Sequence, residues 1–309
     1  MVHSRMPERR SAASALLVRF RRQRPLRAGS LIVTVFGDAI APRGGAITLG
    51  SLIRLVAPFG LTERLVRTSV ARLAADGWLT NRRVGRLSEY HLSSTGRQRF
   101  SEATRRIYAG PASQWAGRWT LMLLSALEPA RRRGLREQLR WEGFGELRPG
   151  LLAHPTLSPA EAREHAVASG AGNDLILLEA RAASSNSERR LVESGWDLSD
   201  LAARYERFLQ AFRPVLGSVG RSLPPVDAFC VRTLLIHEYR KIHLRDPLLP
   251  QSLLPADWPG FAAYDVCRQI YARVLDAAEG HLSSVAARLD GALPGADTSL
   301  FERFAGLPR

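Results

Sequence analysis

Arg64, Arg67 and Thr68 are spaced three and four residues apart, which on a helix brings them to one face. Their chemistry suits base edges: a guanidinium donates two parallel hydrogen bonds to guanine, and a threonine methyl meets the methyl of thymine. Arg72 lies at a less favourable angle on the same helix and suits a phosphate. Thr62 stands where a hydroxyl caps the first turn. Just downstream, Arg82, Arg83 and Arg86 crowd a short reversal around Gly85, placed to clamp phosphates or probe a minor groove. These eight residues are the candidate DNA-binding set.

The elements needed to hold them can be read from the surrounding pattern. Leu65, Val66, Ser69, Val70 and Leu73 give the helix an apolar face, which turns Arg64, Arg67, Thr68 and Ala71 outward. Ser30 is placed to cap a first helix over 31–40, although its β-branched content would also suit a strand. A turn at Gly44-Gly45, a short strand over 46–48 and a helix over 49–57, stopped by Pro58 and Gly60, complete the approach. Trp78 to Arg83 and Leu87 to Leu92 read as a two-stranded wing, closed by a helix over 97–108. Recognition helix followed by wing is a winged helix-turn-helix, a reader of double-stranded DNA.

Charge supports the same segment. The 309-residue chain has a formal net charge of +15, and residues 1–110 carry 20 Arg against 6 Asp or Glu. Of 44 basic residues only Lys241 is lysine, a bias that GC-rich coding would also produce. Coding bias acts along the whole chain, whereas the excess is confined to one region, as a phosphate-binding surface requires.

The length implies two or three compact units. Residues 1–28 read as a basic flexible arm, a solvated tail with DNA contact as the alternative. Residues 29–110 form the winged-helix domain, with Pro111 at its boundary. Residues 111–188 read as strand (119–127), helix (130–141), two short strands (145–154), helix (159–169) and strand (174–181), the β-α-β-β-α-β order of a ferredoxin-like sandwich. Arg131-Arg132-Arg133 opens its first helix as a solvated face, with nucleic-acid contact the alternative. A small polar linker over 183–188 leads to an all-helical C-terminal domain over 189–309, with helices at 198–219, 226–243 and 259–289, the last two separated by a proline-rich stretch. Its apolar helices offer surfaces for pairing with a second subunit. The fold class is therefore α+β and multidomain.

Little supports catalysis. No G-x-S-x-G elbow, phosphate loop or metal-spaced His/Cys cluster is present, so neither enzyme activity nor a cofactor is expected. His237 and His243 are six apart, on opposed helix faces, unlike an i,i+4 metal pair. Cys230 and Cys267 read as buried thiols of a reducing cytoplasm. No apolar run reaches membrane-spanning length, and a cytoplasmic protein is expected.

Two stretches resemble the PaaX family of bacterial repressors of phenylacetate breakdown: Ser30-Leu-Ile-Val-Thr-Val-Phe-Gly-Asp38, and His237-Glu-Tyr-Arg-Lys-Ile-His-Leu-Arg-Asp-Pro-Leu-Leu-Pro250 followed by Leu253-Leu-Pro-Ala-Asp-Trp-Pro-Gly260. The second is the more specific, since a generic winged helix has no need of it. The resemblance implies a Cas2-like middle module, and a homodimer that binds a palindromic operator and leaves it when phenylacetyl-coenzyme A binds. The middle module is expected to be structural or dimerising, because its first strand lacks the carboxylates of a metal-dependent nuclease. An effector of this kind needs cations for phosphates and an apolar pocket for its ring. The candidates are His237, Tyr239, Arg240, Arg245 and Trp258, with a buried polar network fixing the Asp246-Pro247 turn as the other reading. The competing functions are a sequence-tolerant architectural binder and an acyl-coenzyme A enzyme.

Overall fold

The computed structural model describes residues 12–111, 115–124, 129–168, 170, 175–219 and 223–307, without the side chains of 129–132. The chain divides into two compact units, each assembled from separate stretches. The first comprises 1–109, 207–244 and 263–309, and the second 110–206 and 245–262.

The first unit opens with α1 (Ala12–Arg21) and α2 (Ala28–Val35). Residues 1–11 lie outside the described set, but the rest of the expected arm is structured: α1 buries Ala13, Leu16, Leu17 and Phe20. Apolar residues at these spacings make a helical stripe, and its burial outweighs the surrounding arginines. Ser30 does not cap α2; it lies inside the helix, and its carbonyl accepts from the Thr34 hydroxyl. After Val35 the helix widens into a π turn over Phe36–Ile40.

β1 (Ala46–Thr48) leads to α3 (Leu49–Val56), and a turn containing Gly60, at φ 81°, leads to α4 (Glu63–Ala75). β2 (Leu79–Val84) and β3 (Leu87–Leu92) form the wing, and α5 (Ser94–Tyr108) follows. The sheet has the order β1-β3-β2, antiparallel throughout.

In the second unit, β4 (Trp119–Leu123), α6 (Pro129–Trp141), β5 (Gly145–Arg148), β6 (Leu151–His154), α7 (Pro159–Ala168) and β7 (Ile176–Ala180) give the expected β-α-β-β-α-β order. The sheet order β5-β6-β4-β7 places the first strand between the third and the fourth, as a ferredoxin-like sandwich requires. Residues 125–128, 169 and 171–174, at the ends of the expected strands and helix, lie outside the described set, as do the side chains of Arg131 and Arg132. Met122, Leu135, Leu139, Phe144, Leu152 and Ala162 fill one face of the sheet, and Trp119, Leu147, Ala153, Val192, Leu249 and Leu253 the other.

The expected linker is instead the start of α8 (Ser185–Gly195). Ser184 accepts from the Ser187 amide, so the small polar run is a helix cap rather than a spacer. The chain continues through α9 (Leu198–Ser218), α10 (Pro225–His243) and α11 (Pro259–Val285).

α10 is buried at every position from Ala228 to His237, the signature of a central helix. The apolar surface of α10 is used inside the first unit, where the helix packs on α1, α2 and α5. The C-terminal region is also not wholly helical. α11 ends at Val285, and a small hairpin follows of β8 (Ala287–Arg288) and β9 (Gly291–Ala292), with β8 against β1.

Candidate nucleic-acid interface

Thr62 terminates the turn after α3 with extended backbone, and its Oγ1 accepts from the Leu65 amide at 3.3 Å. Val66 and Val70 are buried, Leu65, Ser69 and Leu73 half-buried, and Arg64, Arg67, Thr68, Ala71 and Arg72 exposed, so α4 presents the face its periodicity indicates. Arg67 reaches back to Glu63 at 2.7 Å, and Arg72 stands 4.0 Å from Asp76. Exposed pairs of this kind contribute little and exchange readily for a phosphate. The Thr68 hydroxyl donates to the Arg64 carbonyl at 3.0 Å, which leaves its methyl group as the free end.

The wing is a six-residue antiparallel pair in which Val84 stands opposite Leu87. Gly85 takes φ 58° at the reversal, and Arg83 Nε donates to its carbonyl at 3.1 Å. Arg82, Arg83 and Arg86 are exposed at this tip. At the wing's base the Ser93 hydroxyl donates to the Gly77 carbonyl at 2.6 Å and accepts from the Gly96 amide at 2.8 Å, fixing the ribbon to α5.

Behind this face lies a buried polar hub that the sequence reading missed. Asp38, in the π turn after α2, accepts at Oδ1 from Tyr108 (2.6 Å), Tyr271 (2.9 Å) and Arg303 (2.9 Å), and at Oδ2 from Arg232 Nε (2.7 Å). Its main-chain carbonyl also accepts from both guanidiniums. Arg232 pairs with Glu279, which also pairs with Arg43. Burial opposes ionisation of Asp38, but Arg232 and Arg303, helped by the two tyrosine hydroxyls, outweigh it and hold the carboxyl below its usual range. Burial pushes the Tyr271 hydroxyl up to about 12. One signal for the hub was present in the sequence: Arg232 is the lone charge in the apolar run 228–236, and a charge there needs a buried partner.

The five effector candidates fall in both units. His237 and Tyr239 are buried in the first. His237 Nδ1 meets the Thr34 hydroxyl at 3.0 Å, and Tyr239 stacks on His243 at 4.7 Å. Arg240 donates to Thr34 Oγ1 (2.8 Å), Ser30 O (2.7 Å) and Ser30 Oγ (2.9 Å). Burial lowers Arg240 to about 10 and takes His237 well below the usual histidine range. In the second unit Arg245 is exposed, and Trp258 is buried edge-on to Tyr205. There Asp246 accepts from the Tyr205 hydroxyl at 2.7 Å and the Leu248 amide at 2.8 Å, holding Leu248 at φ 54°. The residues around His237 and Asp246 thus serve as buried polar contacts. Among the described residues no three His, Cys, Asp or Glu side chains gather as metal ligands, and no helix is long and apolar enough to cross a membrane.

A helix-turn-helix with an exposed cationic second helix, followed by a cationic wing, defines a winged-helix regulator. Residues 27–96 match the family model described as PaaX-like protein, 112–192 that of the PaaX protein central Cas2-like domain, and 196–284 that of the PaaX-like protein C-terminal domain. The chain belongs to the PaaX family. It is 39% identical over 289 residues to the transcriptional repressor PaaX of Escherichia coli K12, covering 92% of each chain. A solved structure of an uncharacterized Mycobacterium tuberculosis protein aligns at TM-score 0.47 and 26% identity, covering 74% of this chain and 89% of that one.

Proposed function

We propose that this protein is a DNA-binding transcriptional repressor of an aromatic-acid catabolic operon, phenylacetate breakdown being the reading the family favours. The observation that carries it is the exposed row of Arg64, Arg67 and Thr68 on α4, continued by Arg82, Arg83 and Arg86 on the wing. Acting as a homodimer, it would place two recognition helices in successive major grooves of a palindromic site. The effector in this reading is an aryl-acyl-coenzyme A such as phenylacetyl-coenzyme A, supported by the PaaX resemblance. It releases the operator by binding more tightly to a geometry in which the two helices no longer match the grooves. Of the five effector candidates, Arg245 is the exposed cation suited to a phosphate. Such a protein would work in the bacterial cytoplasm.

The test is binding of a labelled fragment from the gene's own upstream region, at fixed physiological salt with excess competitor DNA. Specific binding that phenylacetyl-coenzyme A reverses and free phenylacetate does not is the expected result. Specific binding indifferent to the thioester would discard that effector, and loss to competitor DNA would favour an architectural binder.

A further inference from the structure

α1 ends against the turn that leads into the recognition helix. Arg21 donates from Nε to the Pro58 carbonyl at 3.0 Å and its other guanidinium nitrogen reaches the same oxygen. The stem of Arg21 covers Gly60, where a Cβ would stand 3.3 Å from its Cγ. Phe20 packs edge-on to Phe59 at 6.0 Å and to His237 at 5.7 Å. With Leu16 and Leu17 buried, the opposite face of α1 carries Ala15 and Arg19 into solvent, and exposed Arg22, directly after the helix, continues that face ahead of exposed Arg24 and Arg27. Residues 12–27 contain five arginines and no acidic residue, and almost all of them precede the segment that matches the winged-helix family model.

We propose that α1 is a second DNA-contacting element, in which Arg19 and Arg22 bind the phosphate backbone beside the head of α4. In a helix-turn-helix the recognition helix enters the groove by its N-terminal end, and the sugar-phosphate strand runs past the preceding turn. A cationic helix clamped to that turn lies where the strand passes and carries the opposite charge to its partner. Its guanidiniums are sequence-blind, so α1 adds affinity and register while α4 supplies discrimination. The proposal rests on the reading of α4 and the wing as the DNA-binding face.

The experiment compares full-length wild type, R19Q/R22Q and R19K/R22K on the upstream fragment and on a random duplex of equal length, over a salt series. Two lost phosphate contacts reduce the slope of log affinity against log salt by about 1.8. R19Q/R22Q is expected to show that reduction and to weaken on both duplexes by the same factor, with its thermal midpoint unchanged. R19K/R22K keeps the charge and should bind like wild type. An unchanged slope in R19Q/R22Q, or a loss confined to the upstream fragment, would overturn the role of α1 while wild-type binding upheld the repressor reading. A wild type that binds neither duplex would overturn both.

Discussion

Arg232 and Asp38 are 194 residues apart in the chain and meet in a buried ion pair at 2.7 Å. The pair joins α10 to the turn that follows the first helix of the winged domain. The DNA-reading head is thereby bound to the C-terminal helices through its interior.

Removing one partner of such a pair strands the other charge away from water. Asp38→Asn leaves Arg303 buried without its carboxylate and Arg232 with Glu279 alone, and a loss of about 3 to 5 kcal/mol is expected. Chemical denaturation at neutral pH measures it. A loss below about 1 kcal/mol, the scale of an exposed pair, would show that water reaches the hub.

Acid should weaken the fold well before the carboxylates titrate. Burial, reinforced by nearby Arg106, lowers His243 to about 4, and burial with Arg240 and Lys241 lowers His237 well below 6.5. Between those values and 6.5 the unfolded chain takes up protons that the folded chain refuses, so stability rises with pH there and is lost as pH falls below about 6.5. Urea midpoints taken from pH 7.5 to pH 5 should decline, and His243→Phe should make the decline shallower. Asp38, whose carboxyl is depressed, adds a further loss at lower pH as it is protonated.

Arg64→Ala and Arg67→Ala should each cost about 1 to 3 kcal/mol of operator affinity and relax base preference. Substituting Arg82, Arg83 and Arg86 should instead weaken specific and random duplexes alike. Competition titrations separate the two patterns, and equal binding by wild type and an Arg64/Arg67 double alanine variant would remove α4 as the reading helix.

Neither cysteine should react with a thiol reagent until the protein unfolds. Both are free and buried, and burial raises Cys230 to about 12 and Cys267 well above its usual range. Rapid labelling of the native protein would contradict the packing of α10 and α11.

The recognition helix, the wing and the ferredoxin-like module were legible because their signals are local: a capped amphipathic helix, a glycine reversal between alternating strands, and strand and helix runs in fixed order. α1 was not, since four buried residues among arginines make a short stripe that only its partner surface explains. The hub, beyond the hint given by Arg232 in its apolar run, was hidden for a different reason. Its members come from positions 38, 43, 108, 232, 271, 279 and 303, and no periodicity links residues so far apart. The two stretches that carried the family resemblance are joined directly, Ser30 and Thr34 on one meeting His237 and Arg240 on the other.

The first unit is woven from three separated stretches of chain, which sets how variants of this protein can be recombined. A crossover between two homologues at residue 110 would pair one parent's Asp38 with the other parent's Arg232, Glu279 and Arg303. New operator preferences grafted by swapping the N-terminal third alone would therefore require the second parent to supply the matching Arg232, Glu279 and Arg303. Exchanges that carry 1–109, 207–244 and 263–309 together keep the weave intact, so for recombination the first unit behaves as one part although its chain is in three pieces.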